Sequence, residues 1–131
     1  MEYDEIEIFF RSALSTLISL PDEFTFDNIP VDIDSIDHDS AYHRLFRECR
    51  LFVRTARYNG WLDDDSDYEQ AGCDYILSRN GEGSGFWDRV KVYGTHAATA
   101  MQTVCECMVP LVIYLRDHDD KGNYWFRITE G

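Results

Sequence analysis

Long apolar runs are missing from this chain. Its 131 residues contain no stretch near the ~20 consecutive apolar residues that a membrane-spanning helix needs. No membrane contact is expected from it. Basic charge is scarce as well: 12 lysines and arginines stand against 25 aspartates and glutamates, a net charge of −13. Binding phosphates requires Lys and Arg, and so does holding an anionic lipid surface. Direct binding to nucleic acid is therefore not expected; a basic surface on another protein is a partner that such a charge permits. There is no Cys-x-x-Cys among Cys49, Cys73, Cys105 and Cys107. The "CEC" pair sits at i and i+2, which do not face each other on a helix, and no second ligand pair has zinc spacing. Neither a metal nor a cofactor is expected, and the cysteines read as free thiols in a reducing compartment. The opening "MEYDEIEIFF" is acidic where a signal peptide would be basic, which points to the cytoplasm. The chain also lacks both G-x-G-x-x-G and the G-K-[ST] of a phosphate-binding loop.

What is present suffices for one folded domain over residues 1–131. Apolar residues make up 44% and aromatics 15%, enough to fill a core. Ile6, Phe9, Phe10, Ala13, Leu14, Leu17 and Ile18 recur at helical spacing and predict a first helix that ends at Pro21. "PDEFTFDNIPVDIDSIDHDS" follows. Its Asp32, Asp34 and Asp37 alternate with Val31, Ile33 and Ile36, which predicts an extended segment with its carboxylates outward. From Met1 to Asp39 there are eleven acids and one base. A second helix is expected from Ser40 to Tyr58, capped by Asp39 or Ser40 and closed by Gly60. Its core face is Tyr42, Leu45, Phe46, Cys49, Phe52, Val53 and Ala56. Arg44, Arg47, Arg50, Arg54 and Arg57 form a basic stripe, read first as a solvated face that pairs with the protein's own acids. Asp63, Asp64, Asp65 and Asp67 lie in the loop that follows.

"CDYILSR", Cys73 to Arg79, reads as a strand on its aromatic and β-branched content. A helix from Thr95 to Met108 and two strands, "VPLVIYLR" and "NYWFRIT", complete the chain. "DHDDKG" joins the strands as a hairpin turn rather than a calcium loop, because Lys121 replaces a ligand. The order α-α-β-α-β-β predicts an α+β domain with helices packed on a small, mostly antiparallel sheet.

The stretch "SRNGEGSGFWDR" is the least ordinary. Gly81, Gly83 and Gly85 allow positive φ and close backbone approach, while Arg79 and Arg89 are cations that an anionic ligand would use. Glu82 in its middle would repel phosphate. The first reading is a structural turn. A ligand or nucleotide site built from Arg79, Asn80, Glu82, Asp88 and Arg89 stands second, and catalysis third. Ser84 has no local base, and His38, His43, His96 and His118 are scattered.

The longer segment "AGCDYILSRNGEGSGFWDR" resembles a family of small uncharacterised proteins from phages and other mobile elements, whose typical string is close to "AGHDFWLTRNGHGAGFWDR". The resemblance runs over most of the chain, including "AYHRLFRECRLFV" and the acidic turn "DHDDKGNYW". The histidines usual in that family are Cys73 and Glu82 here, and its Phe-Trp is Tyr75-Ile76. Acid–base chemistry that depended on those histidines would be lost in this chain. That favours a structural loop, with Phe86 and Trp87 as core anchors and Asp88 and Arg89 as braces. A mobile-element origin implies a role inside a host cell. The expectation is an acidic binding protein that inhibits a host defence complex, of the anti-CRISPR or anti-restriction kind. It would do so by occupying a basic nucleic-acid-binding surface with Asp32, Asp34, Asp37, Asp39, Asp63, Asp64, Asp65 and Asp67. The alternatives are a small-ligand module or enzyme using loop 79–89, and an oligomeric scaffold in which the arginine stripe of one copy meets the acidic segment of another.

Overall fold

A computed structural model describes residues 2–20 and 32–130. Pro21 as a helix stop, and the extended run through Val31, lie outside the described residues. The elements are helices α1 (Glu2–Ser19), α2 (Ser40–Tyr58), α3 (Tyr68–Arg79), α4 (Val90–Tyr93) and α5 (Thr95–Glu106), then strands β1 (Leu111–His118) and β2 (Tyr124–Glu130). Short 3-10 turns stand at Ile33–Ser35 and Phe86–Asp88. The class is α+β: helices pack on one two-stranded antiparallel sheet. A lone hairpin is marginal in water. This one is held because Leu111, Ile113, Phe126 and Ile128 on its inner face are buried among the helices.

The apolar stripes of α1 and α2 are buried as their spacing requires, from Ile6 to Leu17 and from Leu45 to Ala56. Where they meet α3, four aromatic rings close the centre of the core. Phe52 lies 5.6 Å from Phe9, 5.0 Å from Tyr75 and 5.7 Å from Phe86, centroid to centroid. Phe86 belongs to the glycine-rich stretch, so that loop is tied directly into the core. Ala97, Met101 and Cys105 of α5 are also buried, and that helix ends two residues before the expected Met108.

The main correction is at residues 73–79, which are not a strand but the second half of α3. Asp67 caps the helix, its carboxylate accepting from the Gln70 N–H at 3.0 Å. Tyr68, Ala71, Gly72, Tyr75, Ile76 and Arg79 are buried at helical spacing. Asp74 and Ser78 are buried too. Polar residues on the inward face hid the period from the sequence, and the aromatic, β-branched run "YIL" mimicked a strand. Gly72 permits the contact that fixes the helix, since a Cβ there would stand 2.3 Å from the Phe9 carbonyl oxygen of α1.

Candidate functional site

The glycine-rich loop is built as a helix-end lock. Asn80 ends α3, and Gly81, Gly83 and Gly85 all have positive φ, at 66°, 82° and 138°. Space decides at Gly85, where a Cβ would meet Ser78 Oγ at 2.1 Å. The Gly85 N–H donates to Asp88 Oδ1 at 3.0 Å, and the Phe86 N–H donates to Ser78 Oγ at 3.0 Å. Ser78 in turn donates to Gln102 Oε1 of α5 at 2.8 Å.

Of the polar residues proposed as a ligand set, Arg79, Asn80 and Arg89 turn inward. Arg79 is buried and donates to the Val109 carbonyl, to Glu48 at 3.1 Å and to the Tyr75 hydroxyl at 3.0 Å. The carboxamide of Asn80 takes both backbone groups of Leu111, each at 2.9 Å. Arg89 Nε donates to Asp74 at 2.7 Å. Glu82 and Asp88 are exposed; Asp88 accepts from the Gly85 N–H, whereas Glu82 is tied by its backbone N–H to the Leu77 carbonyl at 3.0 Å and its carboxylate has no hydrogen bond among the described residues. Asp88 and Arg89 thus brace the loop as expected, and Phe86 anchors it. Trp87 does not: it is 51% exposed, because the 3-10 turn that buries Phe86 directs the next side chain outward.

Sequence reasoning missed the centre of this lock. Asp74 is fully buried and accepts from Gln70 Nε2 at 3.1 Å, Arg89 Nε and the Tyr93 hydroxyl at 2.7 Å. Burial, and then this bond, push the Tyr93 hydroxyl well above the usual tyrosine range, while the bond to Asp74 raises Arg89. A sequence signal existed in the Asp74–Arg89 pair flanking the glycines, but only a helix at 73–79 turns Asp74 toward Arg89.

The acidic residues divide by task. Asp32 and Asp39 are N-caps, accepting from Asp34 N–H and Tyr42 N–H, and Asp67 caps α3. Asp63 closes a turn on Asp65 N–H and Ser66. Asp37 is not an outward carboxylate: it is 18% exposed and is gripped by Arg116 and Arg127 of the hairpin. The Arg116 hydrogen bond holds its carboxyl below the ordinary range. The alternation expected for an extended segment fails at Ile33–Ser35, which form a 3-10 turn, and Ile36 then pairs with Phe126. Asp64 pairs with Arg57 at 2.5 Å, leaving Asp34 and Asp65 as the exposed carboxylates of the eight without a cap, turn or ion-pair bond among the described residues. The two acidic segments flank α2, whose 19 residues span about 28 Å.

The fold adds carboxylates that were not grouped in the sequence reading. Asp32 and Asp34 share a groove of about 270 Å³ with Gly122, Asn123, Tyr124 and Trp125; Asp117, the ladder partner of Trp125, and Asp120 in the turn are exposed. Asp119 is used locally, accepting from the Lys121 and Asn123 N–H groups at 3.0 Å each. Of the arginine stripe, Arg44 pairs with Glu130 at 2.8 Å and Arg57 with Glu5 and Asp64. Arg47 and Arg50 are exposed with no ion partner among the described residues. His38 and His43 are brought together, 6.5 Å apart, around Tyr42. No helix among the described residues is long and apolar enough to cross a membrane.

No family model, curated protein or solved structure matches the chain.

Proposed function

We propose that this protein is an acidic binding protein whose carboxylate surface occupies a basic, nucleic-acid-binding face of a host defence complex. The observation that carries this reading is the groove in which Asp32 and Asp34 meet residues 122–125 of the hairpin, with Asp117 and Asp120 exposed on the same hairpin, on a chain of net charge −13. Charges summed over such a face steer a basic partner and fix its orientation more than any single pair does. The resemblance of residues 71–89 to phage proteins supports a defence complex as the target. The ligand-site alternative is disfavoured because Arg79, Asn80 and Arg89 are bonded within the fold and the exposed Asp88 accepts from the Gly85 N–H of the loop itself.

The test is affinity capture from host lysate at low and high salt, followed by binding measurements on whatever complex is captured. Asp34→Asn, Asp117→Asn and Asp120→Asn combined should slow association and flatten its salt dependence without loss of fold. Each single change should be nearly silent, since an exposed pair contributes only about 0–1 kcal/mol. Unchanged affinity and salt slope in the triple variant would defeat the proposal. An equal loss from Arg47→Gln with Arg50→Gln would move the contact to the arginine stripe and favour the scaffold reading.

A further inference from the structure

Among the described residues, each edge of the sheet is held at one place, β2 at Phe126 and β1 at Leu111. On the β2 side, the Asp37 N–H donates to the Phe126 carbonyl at 2.8 Å, and Ile36 pairs with Phe126. Phe126 therefore turns its backbone groups away from β1, as does every second residue of the ladder. Its partner Leu115, then Ile113 and Leu111, must turn theirs to the other edge. Leu111 confirms the phase. Its N–H and C=O are both taken by the Asn80 carboxamide, which does what a neighbouring strand's peptide group would do. Beyond that clamp, the outward N–H and C=O of Ile113 and Leu115 find no partner among the described residues. The edge residues 111–115, "LVIYL", are themselves free of proline and charge; Pro110 stands before them, and Arg116 with a bulge in the ladder stands after them. Val112 and Tyr114 stand 42% and 38% exposed beside it.

We propose that this edge of β1 is a strand-addition site, occupied by an extended segment of the target that carries lysine or arginine at both ends. The inference rests on the reading of the protein as a binder of a basic surface, and it names the contact. Charge selects the occupant. Glu82 is exposed two residues after Asn80, which clamps one end of the edge at Leu111, and Asp117 is exposed two residues after Leu115, at the other end. Arg116, between Leu115 and Asp117, is held chiefly by Asp37 and reaches Asp117 at 3.8 Å, while Asp117 keeps most of its carboxylate in solvent and His118 and Lys121 lie further into the turn. A second copy of the chain is a poor fit. Pairing its Leu115 with Ile113 would set Asp117 against Leu111, beside Glu82, placing like charge on like charge twice by symmetry. An extended basic segment meets opposite charge at both ends and offers main-chain groups to Ile113 and Leu115 between them.

The test titrates the isotope-labelled full chain with the capped heptapeptide Thr-Lys-Val-Thr-Val-Lys-Thr and with its counterpart in which both lysines are glutamates. Amide shifts and slowed hydrogen exchange should centre on Ile113 and Leu115. The glutamate peptide should bind roughly tenfold more weakly at low salt, and Glu82→Gln with Asp117→Asn should weaken the lysine peptide by about threefold. Absence of shifts at both amides with millimolar lysine peptide would overturn the proposal. So would equal binding of the two peptides. Shifts that grow with protein concentration alone would replace the proposed occupant with a second copy. Lysine-peptide binding that perturbs Asp34 and Asp120 but not the edge would overturn strand addition while leaving the basic-surface reading intact.

Discussion

Gly85 and Gly83 separate two reasons for using glycine. Both have positive φ, but only Gly85 is walled in by Ser78. Gly83→Ala should cost about 1 kcal/mol through backbone strain alone. Gly85→Ala adds a clash and should cost about 3 kcal/mol or more. Urea unfolding of the two variants checks the ranking, and equal midpoints would contradict it. Asp74→Asn should also be severe, about 3 kcal/mol, because it removes the charge that pairs with Arg89 in a fully buried position. Cysteine chemistry follows burial. Desolvation pushes the thiols of Cys49 and Cys105 far above their ordinary range, while Cys107 is exposed. A thiol reagent should label Cys107 first and reach Cys49 and Cys105 only on unfolding, with mass spectrometry of the labelled peptides as the readout.

At the level of elements, the chain is organised by caps and clamps at helix ends. Asp39 and Asp67 begin α2 and α3, and Asn80 both ends α3 and fastens β1 to it. Asp67→Ala should cost about 1 kcal/mol, the usual value of an N-cap. Asn80→Ala should cost about 1–3 kcal/mol, because it strips two backbone groups of their partner. The two differ in reach. Hydrogen exchange should quicken at the first turn of α3 in the Asp67 variant, but at Leu111 in the Asn80 variant. Trp87→Ala, by contrast, should leave the melting temperature nearly unchanged, since the indole is half in solvent.

For the whole molecule, titration sets limits on both sides of neutrality. Burial pushes Tyr68 up to about 12 and raises Tyr75 and Tyr93 further. Their folded values exceed the unfolded tyrosine value of about 10. The stability they add is thus complete below about pH 10 and is lost as pH rises toward the folded values. On the acid side Asp37, Asp64 and Asp119 have lowered values, set first by bonds to Arg116, Arg57 and Asn123. Their contribution is present above the unfolded carboxylate value of about 3.9 and is lost as pH falls through the folded ones. Urea midpoints should therefore hold between pH 5 and 9 and fall beyond both limits. Asp37→Asn should reduce the acid-side fall, and an unchanged acid limb would show that the hairpin arginines do not act through Asp37.

The apolar period by itself determined α1, α2 and α5, and alternation with a turn determined the hairpin, because each of these buries one face and leaves the other in water. Gly81, Gly83 and Gly85 were legible as a turn, and Asp88 and Arg89 as its braces. The helix at Tyr68–Arg79 was not legible, since its inward positions include Asp74, Ser78 and Arg79 and a polar residue gives no sign of burial until its partners are in place. The exposure of Trp87 was likewise settled by packing, once Phe86 had taken the place in the core. The acidic segments were visible as charge, but their division was not. Which carboxylates cap helices, which are held by the hairpin arginines and which face solvent depends on residues far away in the chain. The edge of β1 was decided at the same level, by Asn80 reaching across from α3 to pair Leu111, with no backbone partner for Ile113 and Leu115 on that edge among the described residues.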